Sequence, residues 1–316
     1  MSLRDRLLKP EYLYKLLLRR GLWRRGDSDR VRFVGTDMAV VRLPWNIDIM
    51  VGRRETLGRA VILLGVYDLA VSEALWRLIK ENDRVVDVGA NIGYMTSIMA
   101  VAAGTSGKVE AFEPHPGLGS QLSDNVRSWV KDIDGRQLAA IRVRREAVSD
   151  QDAERFLEIP EEFGSNNGLA FLVDEPTSSS LKVHSVRLDS ALSGPLQVDL
   201  LKVDVEGAEI QVFQGAVKLL SSHAVRHIIF EEHRNFPTPV TTFLQQYGYT
   251  IFQLGVGLFG PLIGSGSNIN KTPRRAWEPR SMLATAESKT VIDAFAPRGW
   301  QVFRSRTVRS PMPRST

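Results

Sequence analysis

Apolar strands that alternate with helices constrain the fold of this chain more than any other feature. The strand-like runs read RVVDV from Arg84, KVEAFE, IRVRREAV, VDLLKVDV and HIIFEE. Helical patterns follow most of them, over residues 92–103, 118–130, 208–220 and 240–247. Strands that are apolar on both faces, joined by helices, are typical of a parallel sheet covered on both sides. The sequence therefore predicts an α/β fold with a doubly wound, Rossmann-like, mostly parallel sheet.

The flanking segments extend this pattern. TIFQLG and SMLAT predict a final antiparallel strand pair, and a helix is predicted over residues 67–80. The segment VRFVGTDMAVVRLPWNIDIMV predicts two or three short strands, broken at Gly35 and Pro44. Residues 150–192 interrupt the alternation and are predicted to be an inserted hairpin or lid. The predicted domains are an N-terminal helical and β extension (1–65), a catalytic domain (66–290) and a C-terminal extension with a basic, disordered tail (291–316).

Positive charge is concentrated at the two ends of the chain. Residues 1–30 carry nine Lys or Arg and four Asp or Glu, and residues 294–316 carry five Arg and no acid. The net charge is +5, so the body between the ends is mildly acidic. The N-terminal segment alternates leucine with arginine, which fits a structural helix or a peripheral helix on the anionic inner face of a membrane. No nucleic-acid motif accompanies the charge.

The composition excludes several kinds of chemistry and indicates a cellular compartment. The chain has no cysteine, so disulfides, cysteine-ligated zinc and a cysteine nucleophile are excluded. Its apolar runs are short and interrupted, and no secretory signal pattern is present at the N-terminus. The expected location is therefore the cytoplasm.

The loop after the first strand of the alternation is the strongest functional signal. It reads Asp87-Val-Gly89-Ala-Asn91-Ile-Gly93-Tyr94 and leads from a strand into a helix, where parallel sheets bind ligands. A dinucleotide loop needs glycine where this chain has Asn91, and a P-loop needs Lys-Ser or Lys-Thr after its last glycine. The loop therefore fits neither phosphate motif, although a tight structural turn remains the simpler alternative.

S-adenosylmethionine fits this loop better, because it has a nucleoside and a charged amino acid but no phosphate. Asp87 would repel a pyrophosphate yet can face a cation, and the two glycines allow the methionine portion to lie near the backbone. The next strand ends at Glu113, twenty residues after Gly93. A carboxylate there can accept hydrogen bonds from both ribose hydroxyls. Without the glycine loop, Glu113 would be interpreted as a solvent-exposed residue at the end of a strand.

Several motifs together resemble the FkbM-type family of class I, S-adenosylmethionine-dependent methyltransferases. They are DVGANIGY, AFEPHP, REAVSD, DLLKVDVEGAE and IIFEEH, and the resemblance spans about residues 43–285. It implies a Rossmann-like methyltransferase fold and methyl transfer to a hydroxyl group. The sequence departs from the family at Tyr67-Asp68, where the resemblance leads us to expect glutamate in the second position.

The resemblance implies further site residues. Glu146 and Ala147 would lie beside the adenine, and Asp204 would face both the methyl donor and the acceptor. Lys202 lies two positions before Asp204 and therefore on the same strand face. Either a supporting salt bridge or a catalytic role is consistent with that position.

An alcohol acceptor must lose a proton as it attacks, which requires a general base within hydrogen-bonding reach. The candidates at strand ends are Asp204, Glu206, Glu232 and His233, and a histidine titrates nearest neutral pH. Glu231 and Glu232 point to opposite faces of their strand, so one of them faces the site. The same acidic cluster is a weaker candidate for Mg²⁺. A base methyltransferase would carry a D/N-P-P-aromatic motif, but this chain has Asp204-Val-Glu206-Gly207.

The resemblance implies a hydroxyl acceptor, which we expect to be on a sugar, glycan, glycolipid precursor or polyketide-like metabolite. The insert sequence Ser165-Asn166-Asn167-Gly168 is either a contact for a sugar or a plain turn. Two rival functions remain: a non-catalytic, tethered module with the same fold, and an NAD-dependent oxidoreductase. The intact loop and Glu113 argue against the first, and Asn91 and Asp87 argue against the second.

Overall fold

The computed structural model describes residues 30–131, 138–166, 168–192, 197–272 and 280–303. The predictions for the N-terminal helix and for the basic C-terminal tail lie outside these residues. Within the described part of the chain, no helix is long and apolar enough to cross a membrane.

Three short antiparallel strands and two helices precede the main sheet. The strands are β1 (Val31–Val34), β2 (Met38–Arg42) and β3 (Asp48–Gly52), and the helices are α1 (Thr56–Leu64) and α2 (Leu69–Leu78). The short-strand prediction is confirmed, and the breaks fall near Gly35 and Pro44 as expected.

The main sheet has eight strands. In chain order the elements that build it are β4 (Arg84–Val88), α3 (Tyr94–Ala103), β5 (Lys108–Phe112), α4 (Pro116–Lys131) and β6 (Ala140–Arg144). The short strand β7 (Ala147–Val148) follows, and the insert then contributes β8 (Ala153–Glu158), β9 (Phe171–Val173), β10 (Ser180–Val186) and the short helix α5 (Leu188–Ala191).

The second half supplies β11 (Val198–Val203), α6 (Glu209–Gln214), α7 (Val217–Ser221), β12 (Val225–Glu232) and α8 (Pro239–Gln246). It ends with β13 (Thr250–Gly257), β14 (Gly260–Ser265), β15 (Arg280–Thr285) and α9 (Ser288–Phe295).

The order of strands across the main sheet is β14-β13-β15-β12-β11-β4-β5-β6. Strands β12, β11, β4, β5 and β6 are parallel, and β15 pairs antiparallel with both β12 and β13. The predicted α/β, doubly wound sheet with a final antiparallel pair is therefore confirmed. Both faces of this sheet are covered by hydrophobic residues. On β15, Leu283 belongs to the hydrophobic cluster on one face, and its neighbour Met282 belongs to the cluster on the other.

Three elements differ from the sequence prediction. The predicted helix 208–220 is two helices, because the chain passes Gly215, where a Cβ atom would lie 2.0 Å from the Ser149 carbonyl oxygen. The predicted strand IRVRREAV divides after Arg144, and its second part, β7, pairs with β10 in the insert. The Gly- and Pro-rich connection after β13 contains an unpredicted edge strand, β14, where Pro261 is tolerated because one side of the strand is unpaired.

The chain on both sides of the main alternation packs into its core. Trp45 Nε1 donates to Ser97 Oγ at 3.0 Å, and Trp129 Nε1 donates to the Asp48 carbonyl oxygen at 2.7 Å. At the other end, Trp300, Val302 and Phe303 are buried in the same hydrophobic cluster.

A buried ion pair holds the C-terminal segment. Glu73 and Arg77 on α2 are 2.5 Å apart and both are buried. Arg77 donates to the carbonyl oxygens of Ala294 and Gly299, and Glu73 accepts from the backbone N–H groups of Gln301 and Val302. Each charge therefore has hydrogen-bond partners that a buried ion requires.

Candidate active site

A cavity of about 840 Å³ lies beyond the carboxyl ends of β4, β5, β11 and β12. In a parallel sheet, this edge is where ligands bind, since the strand order reverses there and helices begin there. The cavity brings together nine of the predicted site residues: Gly89, Asn91, Tyr94, Glu113, Glu146, Ala147, Asp204, Glu206 and His233.

The glycine loop is fixed by contacts within the protein. The N–H groups of Gly89 and Ala90 both donate to the Phe112 carbonyl oxygen, which joins the loop to the end of β5. Gly89 has a φ of +75°, and a Cβ atom there would lie 1.9 Å from the Asp204 carbonyl oxygen. Gly93 has a φ of +95° and packs against Leu122 and Trp129, away from the cavity lining. Gly89 therefore lines the cavity and lets the loop approach the Asp204 carbonyl oxygen, whereas Gly93 packs against α4.

Asp87 lies beneath the cavity and does not line it. Its Oδ2 accepts from Thr96 Oγ1 at 2.6 Å, and its Oδ1 lies 3.2 Å from Lys202 Nζ. Lys202 also contacts Asp204 Oδ2 at 3.3 Å and donates to the Gly89 carbonyl oxygen at 2.8 Å. Burial disfavours the charged ammonium, but attraction to Asp87 and Asp204 outweighs it and raises the pKa of Lys202. The predicted salt bridge is present, and Asp87 orients Lys202 and the loop.

Glu113 is buried at the end of β5 and faces the cavity. Its Oε2 accepts from Asn91 N–H at 2.8 Å and its Oε1 from His115 N–H at 2.9 Å. Burial raises the pKa of Glu113 to about 7, although both backbone hydrogen bonds and Lys202 act in the opposite direction. Each oxygen keeps a second lone pair, so this carboxylate has capacity to accept hydroxyl donors.

Glu146 is more accessible and is held by its neighbour. Arg144 Nη2 donates to Glu146 Oε1 at 2.9 Å, and the Arg144 guanidinium lies over the Phe112 ring. This hydrogen bond is the main reason that the pKa of Glu146 is lowered. Glu146 is thus held ionised as a hydrogen-bond acceptor at the cavity wall.

Tyr67 lines the cavity together with four carboxylates: Asp204, Asp68, Glu231 and Glu206. Burial first, and then these carboxylates, raise the pKa of Tyr67, so its hydroxyl group stays protonated. The Tyr67 N–H donates to Tyr94 Oη at 3.0 Å, and its carbonyl oxygen accepts from Ser72 Oγ at 2.8 Å. The sequence prediction missed Tyr67 and Asp68 as site residues, although their departure from the family pattern marked the position.

Glu206 follows β11 in a left-handed backbone conformation, with a φ of +47° that is uncommon for a non-glycine residue. Burial raises its pKa to about 7, and the charges of Asp204 and Glu209 add to the effect. Glu206 is therefore present in both protonation states near neutral pH.

The placement of Glu232 corrects the sequence prediction. Glu232 is buried away from the cavity and accepts from Arg234 N–H at 3.0 Å and Arg234 Nε at 3.1 Å. Because successive strand residues point to opposite faces, Glu231 takes its place in the cavity lining. Burial and then Asp204 and Asp68 raise the pKa of Glu231. His233 lines the cavity at an exposed position.

The insert covers one side of the cavity. The Phe163 ring packs on the His115 ring at 4.7 Å, and the Thr56 N–H donates to the Ser165 carbonyl oxygen at 3.0 Å. Asn166 and Gly168 line the cavity, and Asn167 lies outside the described residues. Among the described residues, no group of three or more His, Asp or Glu is arranged to hold a metal ion.

The sheet order and the site define a class of protein, the S-adenosylmethionine-dependent methyltransferases with a Rossmann-like fold. The sequence model of the methyltransferase FkbM domain matches residues 87–251, which is just over half of the 316 residues. This chain belongs to the FkbM methyltransferase family. No curated protein sequence matches the chain.

Solved structures with a similar fold are distant in sequence. An S-adenosylmethionine-dependent O-methyltransferase from Thermotoga maritima is 13% identical, with 83% of this chain and 96% of that chain covered and a TM-score of 0.39. Precorrin-6y C5,15-methyltransferase from Geobacter metallireducens is 16% identical, with 69% and 87% covered and a TM-score of 0.36. Fibrillarin from Aeropyrum pernix, with bound S-adenosylmethionine, is 14% identical, with 81% and 97% covered and a TM-score of 0.34. At these values the likeness gives no argument about the reaction.

Proposed function

We propose that this methyltransferase transfers a methyl group from S-adenosylmethionine to a hydroxyl oxygen of its acceptor. The observation that carries the proposal is one continuous cavity, which has Glu113 and the glycine loop on its walls together with Asp204, Glu206 and Glu231. Residues that suit a methyl donor and a group able to accept a proton therefore share one cavity.

The residues of the cavity fit the methyl donor. Glu113 would hold the ribose hydroxyls, because its two oxygens retain acceptor capacity beyond the bonds to Asn91 and His115. Glu146 would accept from the exocyclic amine of adenine, and Gly89 would lie along the methionine portion. When bound, S-adenosylmethionine supplies an electrophilic methyl group on its sulfonium.

Glu206 is the residue that best fits the general base. Its pKa of about 7 lies near the working pH, where general-base catalysis is most effective. One of its carboxylate oxygens would take the proton from the acceptor hydroxyl. Asp204 is less suited, since Lys202 already binds its Oδ2. Tyr67 stays protonated and would donate a hydrogen bond that orients the acceptor oxygen or the base.

Cofactor binding is the first test, by calorimetric titration of S-adenosylhomocysteine and S-adenosylmethionine into the full chain. Wild type is expected to bind. Glu113→Ala is expected to lose at least about a hundredfold in affinity, because two hydrogen bonds to a charged group are each worth roughly 1.5–3 kcal/mol. Asp124→Ala, an exposed change on α4, is the control and should bind as wild type does.

The outcomes separate the rival functions. Absence of binding by wild type would contradict the proposal and favour a non-catalytic module. Tight binding of a nicotinamide dinucleotide, measured through the fluorescence of the nicotinamide, would favour the oxidoreductase instead. Transfer of an isotopically labelled methyl group to nitrogen or carbon, and not to oxygen, would contradict O-methylation while leaving the cofactor assignment in place.

A further inference from the structure

Helix α1 has a buried face that packs on β3 and a half-buried apolar face, which lines the cavity and whose leucines also touch the hydrophobic core. Gly58 and Val61 are buried, and a Cβ atom at Gly58 would lie 1.8 Å from the Gly52 carbonyl oxygen in β3. On the other side, Leu57, Ala60 and Leu64 are half-buried and line the cavity. These three positions follow the i, i+3, i+7 spacing of a single helical face. We call Leu57, Ala60 and Leu64 the α1 stripe.

Other elements complete an apolar wall in the same cavity. Leu169 and Leu172 of the insert line it, and so do Leu254 and Val256, which share one face of β13 because they are two residues apart. Thr56 N–H and Oγ1 both donate to the Ser165 carbonyl oxygen, at 3.0 and 3.2 Å. These hydrogen bonds connect the start of α1 to the insert, so the two apolar surfaces are fixed relative to each other.

The α1 stripe leads to the polar part of the cavity. Leu64 is three residues before Tyr67, which lines the cavity together with Asp68, Asp204, Glu206 and Glu231. The cavity of about 840 Å³ lies near the upper end of the range of about 300–1,000 Å³ for small-molecule sites. The donor residues Gly89, Glu113 and Glu146 are on other elements, which leaves the space beside the stripe for a second molecule.

We propose that the methyl acceptor is amphiphilic, with an apolar body between the α1 stripe and the insert and a hydroxyl group beside Glu206 and Tyr67. This inference rests on the proposed O-methyl transfer and narrows its acceptor to a hydroxyl compound with a sizeable apolar portion. A free sugar would leave the α1 stripe and the leucines of the insert in contact with water. α1 itself lies outside residues 87–251, which the family model matches.

A homologous series of probes tests the apolar subsite. Methyl, butyl and hexyl β-glucosides are titrated into the full chain saturated with S-adenosylhomocysteine, and affinity is measured by calorimetry. The expected affinity rises about threefold to fourfold per methylene, the equivalent of about 0.8 kcal/mol for each buried CH₂. Equal affinity across the series, or no binding of hexyl glucoside, would overturn the inference.

Two adjacent positions on α1 provide matched variants. Ala60→Trp would fill the space beside the stripe, and we expect it to abolish the dependence on chain length. Arg59→Trp, at the exposed neighbouring position, adds the same side chain outside the cavity and should retain the dependence. Retention of the dependence in Ala60→Trp, or its loss in both variants, would contradict the assignment.

A second variant guards against a folding defect. Leu64→Asn keeps a similar branched shape in a smaller side chain but makes the end of the stripe polar, and it should flatten the dependence on chain length. Binding of S-adenosylhomocysteine is measured in every sample. Loss of that binding in wild type would overturn the proposed function, whereas intact binding without a chain-length dependence would overturn only the amphiphilic acceptor.

Discussion

The two halves of the cavity are built differently. In the half proposed to hold the methyl donor, Glu113 accepts hydrogen bonds from backbone N–H groups, Asp87 beneath it accepts from Thr96, and the loop is tied to β5. In the acceptor half, Glu231 and Glu206 face the cavity with raised pKa values, and the walls come from α1 and the insert. The proposed donor half is therefore held in one arrangement by the protein itself, whereas the proposed acceptor half has carboxyl groups whose raised pKa values favour the protonated form.

Replacement of Lys202 by methionine should have the largest effect, because Lys202 joins the two halves. The change leaves the buried carboxylate of Asp87 without its ion pair, which typically costs about 3–5 kcal/mol. We expect a decrease of this size in the free energy of unfolding, measured by urea denaturation. Lys218→Met, at an exposed position on α7, should change it by less than about 0.5 kcal/mol. Equal stability of the two variants would show that the halves are not coupled through Lys202.

Glu206→Gln should affect only the acceptor half. Loss of the general base is expected to lower kcat by about a hundredfold, within the range of about 10²–10⁴ for such groups. Affinity for S-adenosylhomocysteine should remain unchanged. In wild type, kcat should rise with pH through about 7 as Glu206 ionises, and this rise should disappear in the variant. A kcat that keeps its pH dependence without Glu206 would assign the proton to another residue.

The pH dependence of stability tests the donor half without a ligand. The pKa of Glu113 is raised to about 7 in the folded chain, so folding favours its protonated form. Its contribution to stability is therefore full below the unfolded pKa of about 4.3 and is lost as the pH rises through about 7. We expect this group alone to reduce the free energy of unfolding by about 2–3 kcal/mol over that interval, since one pKa unit is worth about 1.4 kcal/mol.

Glu113→Gln provides the comparison, because it removes the titrating group and keeps a similar shape. The variant should lose less stability than wild type between pH 5 and pH 8, as measured by urea denaturation at each pH. Identical slopes would show that Glu113 does not bind a proton in this range.

Glu146→Gln should have the smallest effect of the four. Glu146 is partly exposed and supplies one neutral-donor hydrogen bond to adenine in the proposed site, so we expect about a threefold to tenfold loss of S-adenosylhomocysteine affinity. The inosine analogue lacks the exocyclic amine and should bind wild type and variant equally. A variant that loses affinity for both ligands alike would remove Glu146 from adenine recognition.

The donor half could be predicted from sequence better than the acceptor half. Local features of the sequence locate its residues. A strand end and a helix start mark Gly89 and Asn91, and the end of the next strand marks Glu113. The acceptor half depends on long-range placement, since α1, the insert and β13 are far apart in sequence. Only the three-dimensional structure distinguishes Glu231 from Glu232, because a strand pattern shows that one faces the site without showing which.

Some errors had local physical causes. The predicted helix 208–220 has good periodicity, yet the close approach of Gly215 to Ser149 divides it. Asp87 and Gly93 match a ligand-binding motif, but their contacts are with Thr96, Lys202 and Leu122 inside the protein. A motif therefore identifies the loop and does not show which of its residues touch the ligand.

The Glu73–Arg77 pair also has a consequence for the order of events during synthesis. Glu73 and Arg77 are synthesised early. Their backbone partners, in contrast, are among the last described residues to be translated: Ala294, Gly299, Gln301 and Val302. Until then α2 cannot bury this pair with its hydrogen bonds complete, and burial without them is costly. We therefore expect α2 to stay incompletely packed on the nascent chain until residue 302 has left the ribosome.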